Sequence, residues 1–182
     1  MPLSAPVPRA PLHRRQIELQ GFQREDGLFD IEAWLTDTKS YAMENRDRGS
    51  IAPGEPLHGM GLRLTVDETL LIVNCEAATD FSPYSICPRA APNFGRLAGL
   101  RIGKGFTQAV KERVGGVEGC THLRELLGQM ATVAFQTVAA LRMRRERESG
   151  EAKQAAASRL LGTCLAYAPD SPVTRARFPE PA

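Results

Sequence analysis

Met60-Gly61-Leu62-Arg63-Leu64-Thr65-Val66-Asp67 is the stretch that decides the fold. In an extended chain Met60, Leu62, Leu64 and Val66 point one way, and Gly61, Arg63, Thr65 and Asp67 point the other. That period of two belongs to a strand with one face buried. Asp67-Glu68-Thr69 supplies a turn, and Leu70 to Ala78 runs back beside it, with Cys75 assigned to the core. Upstream, Phe29, Ile31, Ala33 and Leu35 alternate with Asp30, Glu32, Trp34 and Thr36, which gives another half-buried strand. Asp26-Gly27 is a hairpin signal leading back to a shorter strand candidate, Gln16 to Phe22. The polar stretch Glu44 to Gly59 reads as a loop. The expected sheet is an antiparallel meander of three to four strands.

Beyond this region the pattern changes. Thr79 to Pro92 is rich in turn residues, with Pro83, Pro88 and Pro92 against long regular structure. Phe106, Ala109, Val110 and Val114 then fall at helical spacing, and Gly115-Gly116 ends that run. Leu123, Leu126, Leu127, Met130, Ala131, Ala134, Val138 and Leu141 form a long apolar stripe whose helix has Thr121 as its expected N-cap. Glu151 to Leu161 is Ala-rich and predicts a further helix, with Gly162 as its stop. Strands first and helices later give an α+β fold, the meander packed against two to three C-terminal helices. The expected organisation is a disordered tail over 1–14, one domain over 15–168 and a loose tail over 169–182.

Composition excludes several classes. The 182 residues carry 23 Lys+Arg against 21 Asp+Glu, a net charge of +2 that argues against nucleic-acid and membrane-surface partners. No apolar run approaches the roughly 18–20 residues needed to cross a bilayer. There is no signal-peptide order at the N-terminus, so the expectation is a cytoplasmic protein whose four cysteines are thiols or ligands. Gly99 to Gly105 is one residue short of a phosphate loop and has Gly105 where a magnesium-binding Ser/Thr would stand, so it reads as a turn before a helix.

Two clusters could carry chemistry. The sharper is a Cys/His set. Gly119-Cys120-Thr121-His122 stands at the start of the long helix, where backbone N–H groups favour a thiolate. Cys87 lies in the Pro-rich segment, and His58 at the mouth of the strongest strand. Thiolates and imidazoles from loops flanking one sheet make His58, Cys87, Cys120 and His122 candidate ligands for zinc or iron. The second cluster is acidic: Asp26, Asp30 and Asp37, with Arg24, suit acid–base work or a small ligand.

The pieces Arg24 to Glu32, Leu35 to Lys39, His58-Gly59-Met60, Leu62 to Asp67, Leu97 to Phe106 and Gly119 to Leu123 resemble a bacterial family known as domain of unknown function 2889. That resemblance covers roughly Arg15 to Tyr167 and implies no activity. A more distant likeness is to iron–sulfur scaffold proteins of the NifU N-terminal type. In that likeness Pro56-Leu57-His58-Gly59 stands where those proteins have a Pro-x-Cys-Gly turn, and Cys87 and Cys120 fall near the second and third ligand positions.

Three readings follow. A metal- or sulfur-handling accessory protein would bring thiol and imidazole groups within ligand distance. An enzyme or small-ligand binder would line a pocket with the Asp26, Asp30 and Asp37 carboxylates. A protein-docking module would expose the Ala131 to Leu141 face.

Overall fold

The computed structural model describes residues 3–149 and 160–178. Six strands come first: β1 (His13–Gln23), β2 (Phe29–Lys39), β3 (Met43–Asn45), β4 (Gly49–Ile51), β5 (Pro56–Val66) and β6 (Ile72–Phe81). A 3-10 helix, Cys87–Leu97, then leads to α1 (Phe106–Val114), α2 (Thr121–Ser149) and the short α3 (Pro172–Arg177). The main sheet is antiparallel with order β1-β2-β5-β6, and β3 pairs with β4 in a separate hairpin. The α+β expectation therefore holds, with four strands in the meander. Among the described residues no helix is long and apolar enough to cross a membrane.

The segment expected to be a loop, Glu44 to Gly59, holds most of the β3–β4 hairpin and the start of β5. Its strands are three residues long, too short for an alternation to be visible. A tight turn joins them. The Asn45 side-chain oxygen accepts from the N–H groups of Asp47 and Arg48, each at 3.0 Å. The C-terminal stretch expected to be a loose tail contains α3, whose first turn is capped by the Ser171 hydroxyl accepting from Thr174 N–H at 3.0 Å. The Ala-rich stretch beginning at Glu151 falls almost wholly outside the described residues.

The chain divides into one unit up to Thr137 and another from Val138 onward. The first contains the sheet, and its core follows the strand parity. Phe29, Ile31, Ala33 and Leu35 on β2 are at most 1% exposed, as are Leu64 and Val66 on β5. In the first half of α2, Leu123, Leu126 and Met130 are fully buried.

Two contacts fix how the first half of α2 lies on this sheet. Glu125 bonds Arg15 at one end of β1. At the other end, Gly21 leaves room for Thr137, whose hydroxyl a Cβ at position 21 would strike. Twelve helical residues separate Glu125 from Thr137, about 18 Å at ~1.5 Å each. Six strand residues separate Arg15 from Gly21, about 20 Å at ~3.3 Å each. The agreement sets the helix running alongside β1, and it carries the N-terminus of α2 to the Arg15 end of the sheet.

Candidate metal centre

The row that ends the apolar face at this point is polar. Arg15 on β1, Asp37 on β2 and His58 on β5 are cross-strand neighbours. Each extends the inward stripe of its own strand by one step: Ile17 and Leu19, then Phe29 to Leu35, then Met60 to Val66. Asp37 accordingly sits on the core side and is 1% exposed. A carboxylate in such a place requires partners for both oxygens.

Arg15 supplies a bidentate pair, Nε to Oδ1 and Nη2 to Oδ2, each at 2.8 Å. His58 Nδ1 lies 3.0 Å from Oδ2, and His13 Nε2 lies 3.3 Å from Oδ1. Burial pushes the Asp37 carboxyl up, but the hydrogen bonds and charge of Arg15, helped by His58 and His13, hold it below the usual carboxylate range. Hydrogen bonding to Asp37 in turn raises the Arg15 guanidinium further above its already high value.

The second layer of the site comes from α2. The Cys120 carbonyl accepts from Arg124 N–H at 2.9 Å and Thr121 is already helical, so Cys120 occupies the capping position expected for Thr121. The first turns then project His122 and Glu125 over the polar row. Glu125 Oε2 accepts from Arg15 Nη1 at 2.6 Å. The His122 ring lies against His58, with centroids 3.9 Å apart and a tilt of 33°. Cys120 Sγ is 3.8 Å from both His122 Nδ1 and Met60 Sδ. One ligand atom from each of Asp37, His58 and His122 lies within 4.8 Å of the other two.

This geometry fixes the chemistry of His58. An ionised carboxylate only accepts, so His58 Nδ1 carries the hydrogen shared with Asp37, and in the neutral ring Nε2 keeps its lone pair. Burial first, then the neighbouring His122, lower the His58 pKa against the opposing pull of Asp37. His58 therefore presents a neutral imidazole of fixed tautomer, as a metal ligand or base requires.

Of the four candidate ligands, His58, Cys120 and His122 come together at this end of the sheet. Cys87 opens the 3-10 helix, bonded through its N–H to Tyr84 O at 3.1 Å, and is not among the groups that converge with Asp37. The acidic cluster is split: Arg24 bridges Asp26 and Asp30, the latter at 3.5 Å, and Asp37 lies apart. Asp26 pairs with Arg24 in the β1–β2 turn, and Asp30 accepts from the Thr65 hydroxyl at 2.7 Å. Asp30 and Asp37 are seven residues apart on one strand, about 23 Å at ~3.3 Å per residue. Asp37 belongs instead with the histidines, and parity was the signal. It shares the face of Phe29, Ile31, Ala33 and Leu35, whereas Asp30 shares that of Glu32 and Trp34.

Fold and site together define a class: an α+β protein with a helix laid along a four-stranded antiparallel sheet and an Asp/His cluster where the two share an end. The family model described as "Protein of unknown function (DUF2889)" matches residues 13–136, and the chain belongs to that family. The match contains every residue of the cluster, from His13 to Glu125. No curated protein and no solved structure matches, and the likeness to iron–sulfur scaffold proteins finds no support in these comparisons.

Proposed function

We propose that this protein is a metal-handling accessory protein that binds a divalent transition ion, zinc or iron, through His58 Nε2 and His122. The observation that carries this reading is the convergence of His58 and His122 on the buried Asp37, with ligand atoms within 4.8 Å of one another. Neutral imidazole is a favoured donor for both ions. Asp37, with Arg15 across both oxygens, fits the carboxylate of a carboxylate–histidine–metal arrangement, which orients the ligand and raises its basicity. Two imidazoles leave coordination positions open, which suits an ion that is taken up and passed on. Structural zinc, by contrast, is closed by four protein ligands. The alternative acidic site is not favoured, because Arg24 already neutralises Asp26 and Asp30 and Asp37 lies seven residues further along β2.

The test is equilibrium dialysis of untagged protein against zinc(II). Wild type should retain about one ion per chain. His58→Ala and His122→Ala should each abolish retention, and Asp37→Asn should weaken it by about 10–100-fold, the usual cost of losing an orienting partner. Absence of binding by wild type, or binding indifferent to both histidine substitutions, would refute the assignment.

A further inference from the structure

The cluster has a soft side that the two-histidine reading does not use. Cys120 Sγ, at the mouth of α2, lies 3.8 Å from the Met60 thioether and 3.8 Å from His122 Nδ1. Met60 is 2% exposed, on the inward stripe of β5 next to His58. Cys120 and His122 are only partly covered, so the cluster meets the surface on their side, with Met60 beneath them.

The two separations from Cys120 match those between ligands around one ion. With metal–sulfur bonds of about 2.3 Å and metal–nitrogen bonds of about 2.0–2.1 Å, tetrahedral geometry puts two sulfurs about 3.8 Å apart and a sulfur and a nitrogen about 3.5 Å apart. Opening the angles toward a trigonal plane lengthens both by roughly 0.2 Å. The observed separations fall on the sulfur–sulfur edge and slightly beyond the sulfur–nitrogen edge. A thioether is a poor donor to hard divalent ions, while thiolate and thioether ligands suit soft ions, cuprous copper among them.

We propose that Met60, Cys120 and His122 form a site for a cuprous ion. The proposal deepens the metal-handling reading and shares His122 with it, but it does not use His58 or Asp37. On binding, the Cys120 thiol gives its proton to solvent as the Sγ–copper bond forms. The thioether and the His122 imidazole each donate a lone pair, and copper stays in the cuprous state throughout. Because His122 serves both sites, a cuprous ion and a divalent ion would exclude one another.

The experiment is anaerobic competition of the full chain against a coloured cuprous chelator, beside zinc(II) dialysis of the same variants. Met60→Leu and Cys120→Ser should weaken cuprous binding by about 100-fold or more, since even an outer-shell loss typically costs about 10–100-fold. Both should leave zinc(II) retention in place. His58→Ala should do the reverse, and His122→Ala should remove both ions. Met60→Leu nearly conserves volume, and a melting curve for each variant confirms that it is folded. The proposal is overturned if wild type takes no copper from the chelator, or if folded Met60→Leu and Cys120→Ser bind it as wild type does. Loss of zinc(II) binding alone would refute the two-histidine reading and leave the copper site standing.

Discussion

The two ends of the inner face of the sheet solve the same problem differently. Asp37 ends the inner stripe at one end, and at the other an aspartate stands in the turn just beyond Val66. At the Phe29–Val66 end, Asp67 closes the β5–β6 turn, and its Oδ1 accepts from Thr69 N–H and hydroxyl, both at 2.7 Å, and from Leu71 N–H at 2.9 Å. Those bonds hold a turn in which Leu70 has φ of 64°, a left-handed conformation uncommon for a side-chain-bearing residue. At the other end, Asp37 is met by a guanidinium and two imidazoles. Backbone and hydroxyl donors can do nothing but bond, so the Asp67 end is structural. Imidazoles have a second nitrogen, so the Asp37 end retains donors for something else. The difference between an anchor and a candidate site lies in the partners the carboxylate is given.

Substitutions can break this contrast at either end. The largest loss should come from the dry core between them. Leu64 has no exposure, and Leu64→Ala should cost about 2–5 kcal/mol in a denaturant melt. A midpoint equal to wild type would refute the assignment of strand faces.

Asp37→Ala comes next, at about 1–3 kcal/mol, for removal of an acceptor shared by charged donors. The cost stays below that of a fully buried ion pair because Arg15 is 31% exposed and can turn to solvent. An unchanged melting temperature would show that Arg15 and the histidines need no counter-charge.

Asp67→Asn should be smaller, within about 0.5–1.5 kcal/mol, and dependent on pH. Burial pushes the Asp67 carboxyl up, but the Thr69 and Leu71 hydrogen bonds outweigh it and hold the folded pKa below the unfolded value near ~3.9. Its contribution is therefore complete above that pH and lost as pH falls through the folded pKa. Stability measured from pH 6 to pH 2 should fall less steeply in Asp67→Asn than in wild type, and identical slopes would contradict the account of the turn.

The cysteines sharpen the same comparison without altering stability. Cys75 faces Leu64 from β6, and burial pushes its thiol up to about 12, so native protein should leave it unmodified by an alkylating reagent near pH 8. Cys164 is exposed and should react first. Rapid modification of Cys75 would place it outside the core.

Much of this architecture is legible in the sequence. Met60 to Val66 and Phe29 to Leu35 alternate in sequence, and their inward residues are buried in the structure; on the other face of β5, Gly61 and Thr65 are covered as well. The short β3 and β4 are not legible, because three residues give no period and the hairpin rests on an Asn45 turn. Half of the candidate site is legible too. His58, Cys120 and His122 stand out as donor types beside the main elements. Asp37 is missed because nearness along the chain groups it with Asp26 and Asp30, whereas an extended strand carries such neighbours apart. Following the β2 stripe one step beyond Leu35 would have placed a carboxylate in the core and called for cationic partners. Cys87 had only its loop to recommend it, and the sequence holds no information on which end of the sheet that loop approaches.

The chain has three histidines, so one spectrum reports on the whole cluster. The most direct test of the central claim is an imidazole proton–nitrogen correlation spectrum recorded near neutral pH before and after one equivalent of zinc(II). The account predicts that His58 without metal is neutral with its hydrogen on Nδ1. It predicts also that zinc shifts the ring nitrogens of His58 and His122 while those of His13 stay in place. A His58 hydrogen on Nε2, or zinc that leaves both His58 and His122 unmoved, would contradict it.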